Sequence, residues 1–483
     1  MIDSVRGQEV LPGLPPAWVL ATLVLMGLAA VWVWARPLNA GRRGLQARGH
    51  ALSGPLARGL TGSPWPLVVV RLGGVALFML VITSGFFGRE DPGENLATVL
   101  TWTLWWWGVV LSALLLGSVW CAVCPWDALA TWLARRRLWR RARTGLDRRL
   151  PRRLMNLWPA LVLFVLLTWL ELGMGAMTSP RLTAAMALLM LVLALASLHV
   201  FERKAFCRYF CPVGRTVGLY AQAAPLALRP IDAGTCVRCE TLDCYHGNQE
   251  VEPCPTHLVM GRLRENTYCT SCGACALSCP YDNVSWRLRP PGDELAARAR
   301  PRWDQAWFIV VLLAVTTFHG LARTVTGLQG LDGLGEILGT RQSLWSVTAA
   351  LASVLLAIGL SWAAVVALSY RLGLGEVPYR RLFAQLAFTL IPLALSFHLA
   401  HQLSPLLYSG LLPFEVPAPL HFFLKAGLMG FGFWLALKAL RSRSQELWGR
   451  SPGRFAWPTA PPAAFVIAVT LLDVWLLMQP LVL

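Results

Sequence analysis

All twelve cysteines of this 483-residue chain lie between positions 121 and 279, and the last eight form a two-part run, each part closing in Cys-Pro. The second part, Cys269-Thr-Ser-Cys272-Gly-Ala-Cys275-Ala-Leu-Ser-Cys279-Pro280, has the C-x2-C-x2-C-x3-C-P spacing that wraps a [4Fe–4S] cube. Its short spacers let three thiolates reach three iron corners from one tight loop, while the fourth, a helical step further on, is directed to another centre. The first part is looser: Cys236-Val-Arg-Cys239, then Cys244, then Cys254-Pro255. Crossing the ligands gives one cluster on Cys236, Cys239, Cys244 and Cys279, and a second on Cys269, Cys272, Cys275 and Cys254. Zinc is the competing reading of paired C-x2-C. The two Cys-Pro endings and the regular second run favour iron and sulfide, so the chemistry is electron transfer.

The elements that must position these thiols are membrane helices. With 56% hydrophobic residues, 23 Trp and a mean hydropathy of +0.53, the chain is far more apolar than a soluble domain. Apolar runs of span length recur at about ten places: 17–35, 65–87, 96–119, 155–172, 183–201, 306–325, 344–369, 383–406, 417–438 and 463–481. Arginine sets their direction, because positive charge in short loops stays on the cytoplasmic side. Arg36, Arg42, Arg43, Arg48 and Arg58 follow the first run, and a dense arginine segment from Arg135 to Arg153 follows the third. The loop carrying Glu90, Asp91 and Glu94 is short and acidic, hence outside. Alternation then puts residues 202–305 in the cytoplasm and both termini outside. The first span has its basic region after it, not before it, and reads as a retained anchor.

The predicted fold is mainly α: a polytopic membrane helix bundle with a small cytoplasmic ferredoxin-like α+β insert. Its expected parts are an N-terminal span and basic cytoplasmic segment (1–64), a four-span membrane core (65–212), the two-cluster insert (213–302) and a five-span C-terminal block (303–483). All but three of the 43 basic residues are arginine, the exceptions being Lys204, Lys425 and Lys438, and the formal net charge is +18. That excess is explained by topology beside anionic lipid, with no nucleic acid among the expected partners. Docking of an acidic redox partner protein is the sharper use of the same charge.

The remaining cysteines sit at span exits, in Trp120-Cys121-Ala-Val-Cys124-Pro125-Trp126 and Cys207-Arg-Tyr-Phe-Cys211-Pro212-Val-Gly. With these, residues 65–290 resemble the membrane-bound polyferredoxins that accompany periplasmic nitrate reductase, nitrous oxide reductase maturation and oxidase assembly. The resemblance implies several membrane helices, two exit motifs and a two-cluster cytoplasmic insert in a bacterial inner membrane. The chain departs from it in three ways. The first exit motif has two residues between its cysteines where the family usually has three. There is neither a long outer loop nor an extramembrane C-terminal domain after the insert. Residues 303–483 add five spans instead. Three readings of Cys121, Cys124, Cys207 and Cys211 stay open: a third cluster, a redox dithiol or Cu(I) site, and inert buried thiols.

In the added block, His319, His398 and His401 fall in the outer half of their spans, and His421 begins the ninth span from the same side. Histidines from two helices at one depth suit axial ligation of a b-type haem, with Arg323 near a propionate. They suit quinol contact equally, and interfacial structure is the third reading. Lys425 and Asp473, each about eight residues from the outer end of its span, are expected to form an ion pair, with a proton path as the alternative. The function these signals favour is single-electron transfer between a cytoplasmic or quinone donor and a membrane or periplasmic acceptor, as an oxidoreductase or its electron-transfer subunit. The rival is a copper-handling maturation factor. A hydrocarbon core of about 30 Å would separate insert from outer histidines, so conduction across it would need intermediate carriers.

Overall fold

The computed structural model describes residues 4–5, 8–35, 50–51, 63–135, 145–297, 301–340, 342–408, 416–449 and 452–482. The arginines expected to set orientation at 36–48, 58 and 136–143 lie outside the described residues. Among those described, the protein is a mainly α polytopic bundle with nine helices long and apolar enough to cross a membrane: Pro16–Ala35, Trp65–Phe87, Leu96–Leu116, Pro180–Val200, Trp303–Ala322, Ser343–Leu372, Tyr379–Tyr408, Ala418–Trp448 and Ala456–Met478. A helix is what such sequences must form in lipid, because each backbone N–H and C=O has to find its partner inside the segment. The run expected at 155–172 becomes the helix Trp158–Gly173, whose 16 residues fall short of the usual span. Gly173 and Gly175, the latter at φ +69°, mark where it stops.

The chain divides into two compact units. One comprises residues 39–164 and 176–294 and holds every cysteine. Its helix Pro180–Val200 starts on Ser179, whose side chain accepts from Leu182 N, with Pro180 in the first turn, where a missing N–H costs nothing. Packed beside it are Trp65–Phe87 and Pro125–Arg135. The insert carries an antiparallel pair, Leu226–Pro230 with Val284–Leu288, in register from Leu226↔Leu288 to Pro230↔Val284, and His50–Ala51 adds a third strand beside Val284–Leu288. Behind the pair, Glu294 is buried and receives both Arg229 and Arg289, while its second oxygen accepts from Asn266 N at 2.8 Å. Losing Glu294 would strand two guanidiniums in the interior.

The other unit comprises residues 1–38, 165–175 and 295–483. Tyr379–Tyr408 is its centre, buried throughout 382–406 and flanked by Trp303–Ala322 and Ala418–Trp448. Pro16–Ala35 packs on the last of these. Gln8–Leu11 pairs antiparallel with Leu481–Val482, joining the two ends of the chain at one place. Arg443, fully buried, donates to Leu295 O at 2.6 Å and to Gln385, and lies 4.4 Å from the Phe388 ring centre. Such a multiply held guanidinium fixes three segments against one another.

Candidate iron–sulfur and histidine sites

The two exit motifs solve one geometric problem with different numbers of residues. Cys124 (φ −54°, ψ 122°) and Cys211 (φ −69°, ψ 111°) are both extended, as a residue before proline must be, and Pro125 and Pro212 each open a new helix. Upstream, Cys121 sits in an ordinary α-turn, Val119–Val123. Cys207 sits in a π-turn, Phe206–Phe210, closed by Cys211 N donating to Phe206 O at 2.8 Å. A π-turn takes up about one residue more than an α-turn. The three-residue spacer in one motif and the two-residue spacer in the other therefore both leave their cysteines about one turn apart.

All four exit thiols are drawn together: Cys121 and Cys124 interact electrostatically with Cys211, and Cys207 with both Cys211 and Cys124. Gly214 N donates to Cys211 Sγ at 3.2 Å. Beside them lies an ion pair, Lys204 Nζ to Asp127 Oδ2 at 2.6 Å, with both side chains almost buried. The Cys207 thiol donates to the other Asp127 oxygen at 3.9 Å.

In the insert the eight thiols are coupled both within and across the crossed ligand sets expected from spacing, Cys275 also interacting with Cys244. Cys236 interacts with Cys239, Cys244 and Cys279. Cys275 interacts with Cys269, Cys272 and Cys254. Turns in the left-handed region at Ser271 (φ 51°) and Gly273 (φ 77°) fold the second loop back on itself. Such turns aim backbone N–H groups at sulfur: Ser271 N to Cys269 at 3.4 Å, Leu258 N to Cys254 at 3.3 Å and Asn283 N to Cys279 at 3.4 Å. Asn283 Nδ2 also reaches Cys236 at 3.4 Å. N–H donors to sulfur are what a bound cluster uses to raise its potential.

The electrostatics fit an anionic group that is held by thiolates. Burial pushes the Cys269 thiol up to about 11, so in the bare chain it keeps its proton, which iron must displace. Burial, helped by Arg203 and Arg208, pushes His257 down to about 4, leaving it neutral near Cys254. All twelve cysteines are free thiols. Among the described residues no three His, Cys, Asp or Glu side chains converge where one metal ion would sit.

The quartets are also coupled electrostatically. Cys244 of the first interacts with Cys254 of the second, and Cys121 of the exit quartet interacts with Cys269 of the second. The second quartet is thus coupled to both of the others.

The histidines lie in the other unit. His319 Nε2 is 3.4 Å from Glu171 Oε2, and its charge would act on both His398 and His401. His398 and His401 stack with ring centres 5.6 Å apart. His401 Nδ1 bonds Phe397 O at 2.8 Å, while its buried Nε2 has no partner. Arg323, expected near a propionate, instead donates to Gln402 Oε1 at 3.0 Å. His421 stands apart from this trio, with Nε2 3.2 Å from Ser404 Oγ. A Cβ on Gly320 would strike the Phe397 ring, so the helices bearing His319 and His398 are in close contact one residue from His319.

One expectation is corrected here. Lys425 and Asp473 do not form an ion pair: both are fully buried, and neither Lys425 Nζ nor either Asp473 oxygen has a hydrogen-bond partner. Equal depth on neighbouring helices does not bring two side chains together when they point to different neighbours. Sequence reasoning also missed Glu171, Asp127 and Arg215. Glu171 could have been noticed as a carboxylate near the end of an otherwise apolar run.

The 4Fe-4S binding domain family model matches residues 98–146 and 182–223, the two stretches that carry the exit motifs. Among curated proteins the chain is 30% identical over 115 residues to "Putative electron transport protein YccM" of Escherichia coli (strain K12). That match covers 23% of this chain and only 29% of the relative's own length. No solved structure matches the chain. With the nine apolar helices, these matches support a membrane-associated 4Fe-4S electron-transfer protein.

Proposed function

We propose that the chain carries single electrons through three [4Fe–4S] clusters, held by Cys236, Cys239, Cys244 and Cys279, by Cys254, Cys269, Cys272 and Cys275, and by Cys121, Cys124, Cys207 and Cys211. The observation that carries this reading is that thiols of the second quartet are electrostatically coupled to thiols of each of the other two. When bound, the clusters supply one-electron chemistry. The chain supplies thiolates, N–H donors to sulfur and a buried setting for each. The first quartet is the point of exchange with a soluble redox partner, since Val237 beside it is 85% exposed while Cys211 and Cys269 are buried. Stepwise reduction of the purified protein, followed by electron paramagnetic resonance, should resolve three interacting centres. Two centres with copper at the exit thiols would favour the maturation-factor reading instead.

The insert is taken to face the cytoplasm of a bacterial cell, with both termini outside. A membrane-impermeant thiol reagent should then label 236–279, once clusters are removed, in inverted vesicles and not in intact cells.

For the histidines, quinol contact is favoured over haem. The Gly320–Phe397 contact leaves little room for a porphyrin between those helices, and Arg323 is engaged by Gln402. His319 with Glu171 behind it can accept a proton, and His401 Nε2 can meet a quinol oxygen. Visible spectra of the purified protein should lack a Soret band.

A further inference from the structure

Arg215 lies in the first turn of the helix Pro212–Tyr220 that follows the second exit motif, four residues after Cys211, and is 1% exposed. One Nη donates to Thr267 O at 2.6 Å, and the guanidinium centre lies 5.0 Å from the Tyr268 ring centre. Arg208 also lies over that ring, at 5.4 Å. Arg215 Nε is buried without a partner, and no carboxylate pairs with Arg215 among the described residues. Its backbone N–H donates to Cys211 O at 3.1 Å, and its charge acts on Cys121 and Cys211, one cysteine from each exit motif.

A guanidinium taken wholly out of water, with one N–H unused, is costly unless an anion faces it. Among the described residues no acid takes that role. Four thiolates around an oxidised [4Fe–4S] core carry a net charge of about −2, which is the missing anion. We propose that Arg215 is the counter-charge of the cluster held by Cys121, Cys124, Cys207 and Cys211, and that it holds that cluster's reduction potential up. Reduction adds an electron to a site that is already negative, so a fixed buried cation eases it. Through Tyr268, the residue before Cys269, the same side chain adjoins the middle quartet. This inference rests on the three-cluster reading.

The test is a redox titration of the full chain, purified without oxygen, comparing Arg215→Gln and Arg215→Lys with the unaltered protein. The exit cluster's signal is identified by its loss in Cys211→Ser. Arg215→Gln should keep its iron and shift the exit cluster alone to more negative potential, while Arg215→Lys should stay close to the unaltered value. If Arg215→Gln loses the cluster but Arg215→Lys keeps it at the original potential, the charge is again what matters. An unmoved potential in an iron-replete Arg215→Gln protein overturns the inference, as does loss of the cluster in both variants, which would mean that the fork to Thr267 is structural. Wild-type iron in Cys211→Ser would overturn the three-cluster reading itself, and Arg215's role with it.

Discussion

In the unit that holds the cysteines, buried polar groups are arranged around something negative: backbone N–H groups point at Sγ atoms, and Arg215 lies beside thiols with no acid among the described residues to neutralise it. In the unit that holds the histidines, the buried polar groups instead include imidazoles, carboxyls and a lysine. His319 faces Glu171, His401 keeps one nitrogen unused, and Lys425 and Asp473 are buried apart. On the reading proposed here, the chain divides electron handling from proton handling by giving each its own helices. Quinol oxidation, which releases both particles, is a reaction that needs the two.

The comparison can be broken at either unit. The largest effect is expected for Cys272→Ser, which should remove the middle cluster and about four iron and four sulfide per chain, because a hydroxyl is a poor substitute for a thiolate. Retained iron and sulfide, or zinc in the unaltered protein, would refute the assignment. Next, His319→Ala should slow quinol-dependent cluster reduction roughly a hundredfold, and Glu171→Gln by less, with iron content unchanged in both. Wild-type rates in stopped-flow reduction would leave these side chains a structural role. Gly320→Leu should destabilise the histidine unit by about 1–3 kcal/mol, because the new side chain meets the Phe397 ring. A variant as stable as the parent in thermal unfolding would show that the two helices have room to separate. The smallest change is expected for Lys425→Met: with no ion pair to break, it should be neutral or slightly stabilising, whereas breaking a buried pair would cost about 3–5 kcal/mol.

What could be read in advance depended on how local the signal was. The iron–sulfur character was legible because C-x2-C spacing and a closing Cys-Pro constrain sulfur positions within a few residues. Helices were legible because lipid leaves an apolar run almost no other structure. The exit motifs were half legible: a spacer one residue short looked like a defect until the π-turn at Phe206–Phe210 showed how the longer spacer is absorbed. The histidine site was not legible as a whole. Glu171 comes from a helix more than a hundred residues before His319, and no spacing rule links them. Lys425 and Asp473 misled for the same reason, since depth can be read from a sequence while the direction a side chain faces across helices cannot.

The central claim is that three thiol quartets hold three clusters in one unit, and iron and acid-labile sulfide counted together on anaerobically purified protein test it most directly. About twelve of each per chain, falling to about eight in Cys211→Ser, is the result predicted here. About eight of each in the unaltered protein, unchanged by Cys211→Ser, would contradict it.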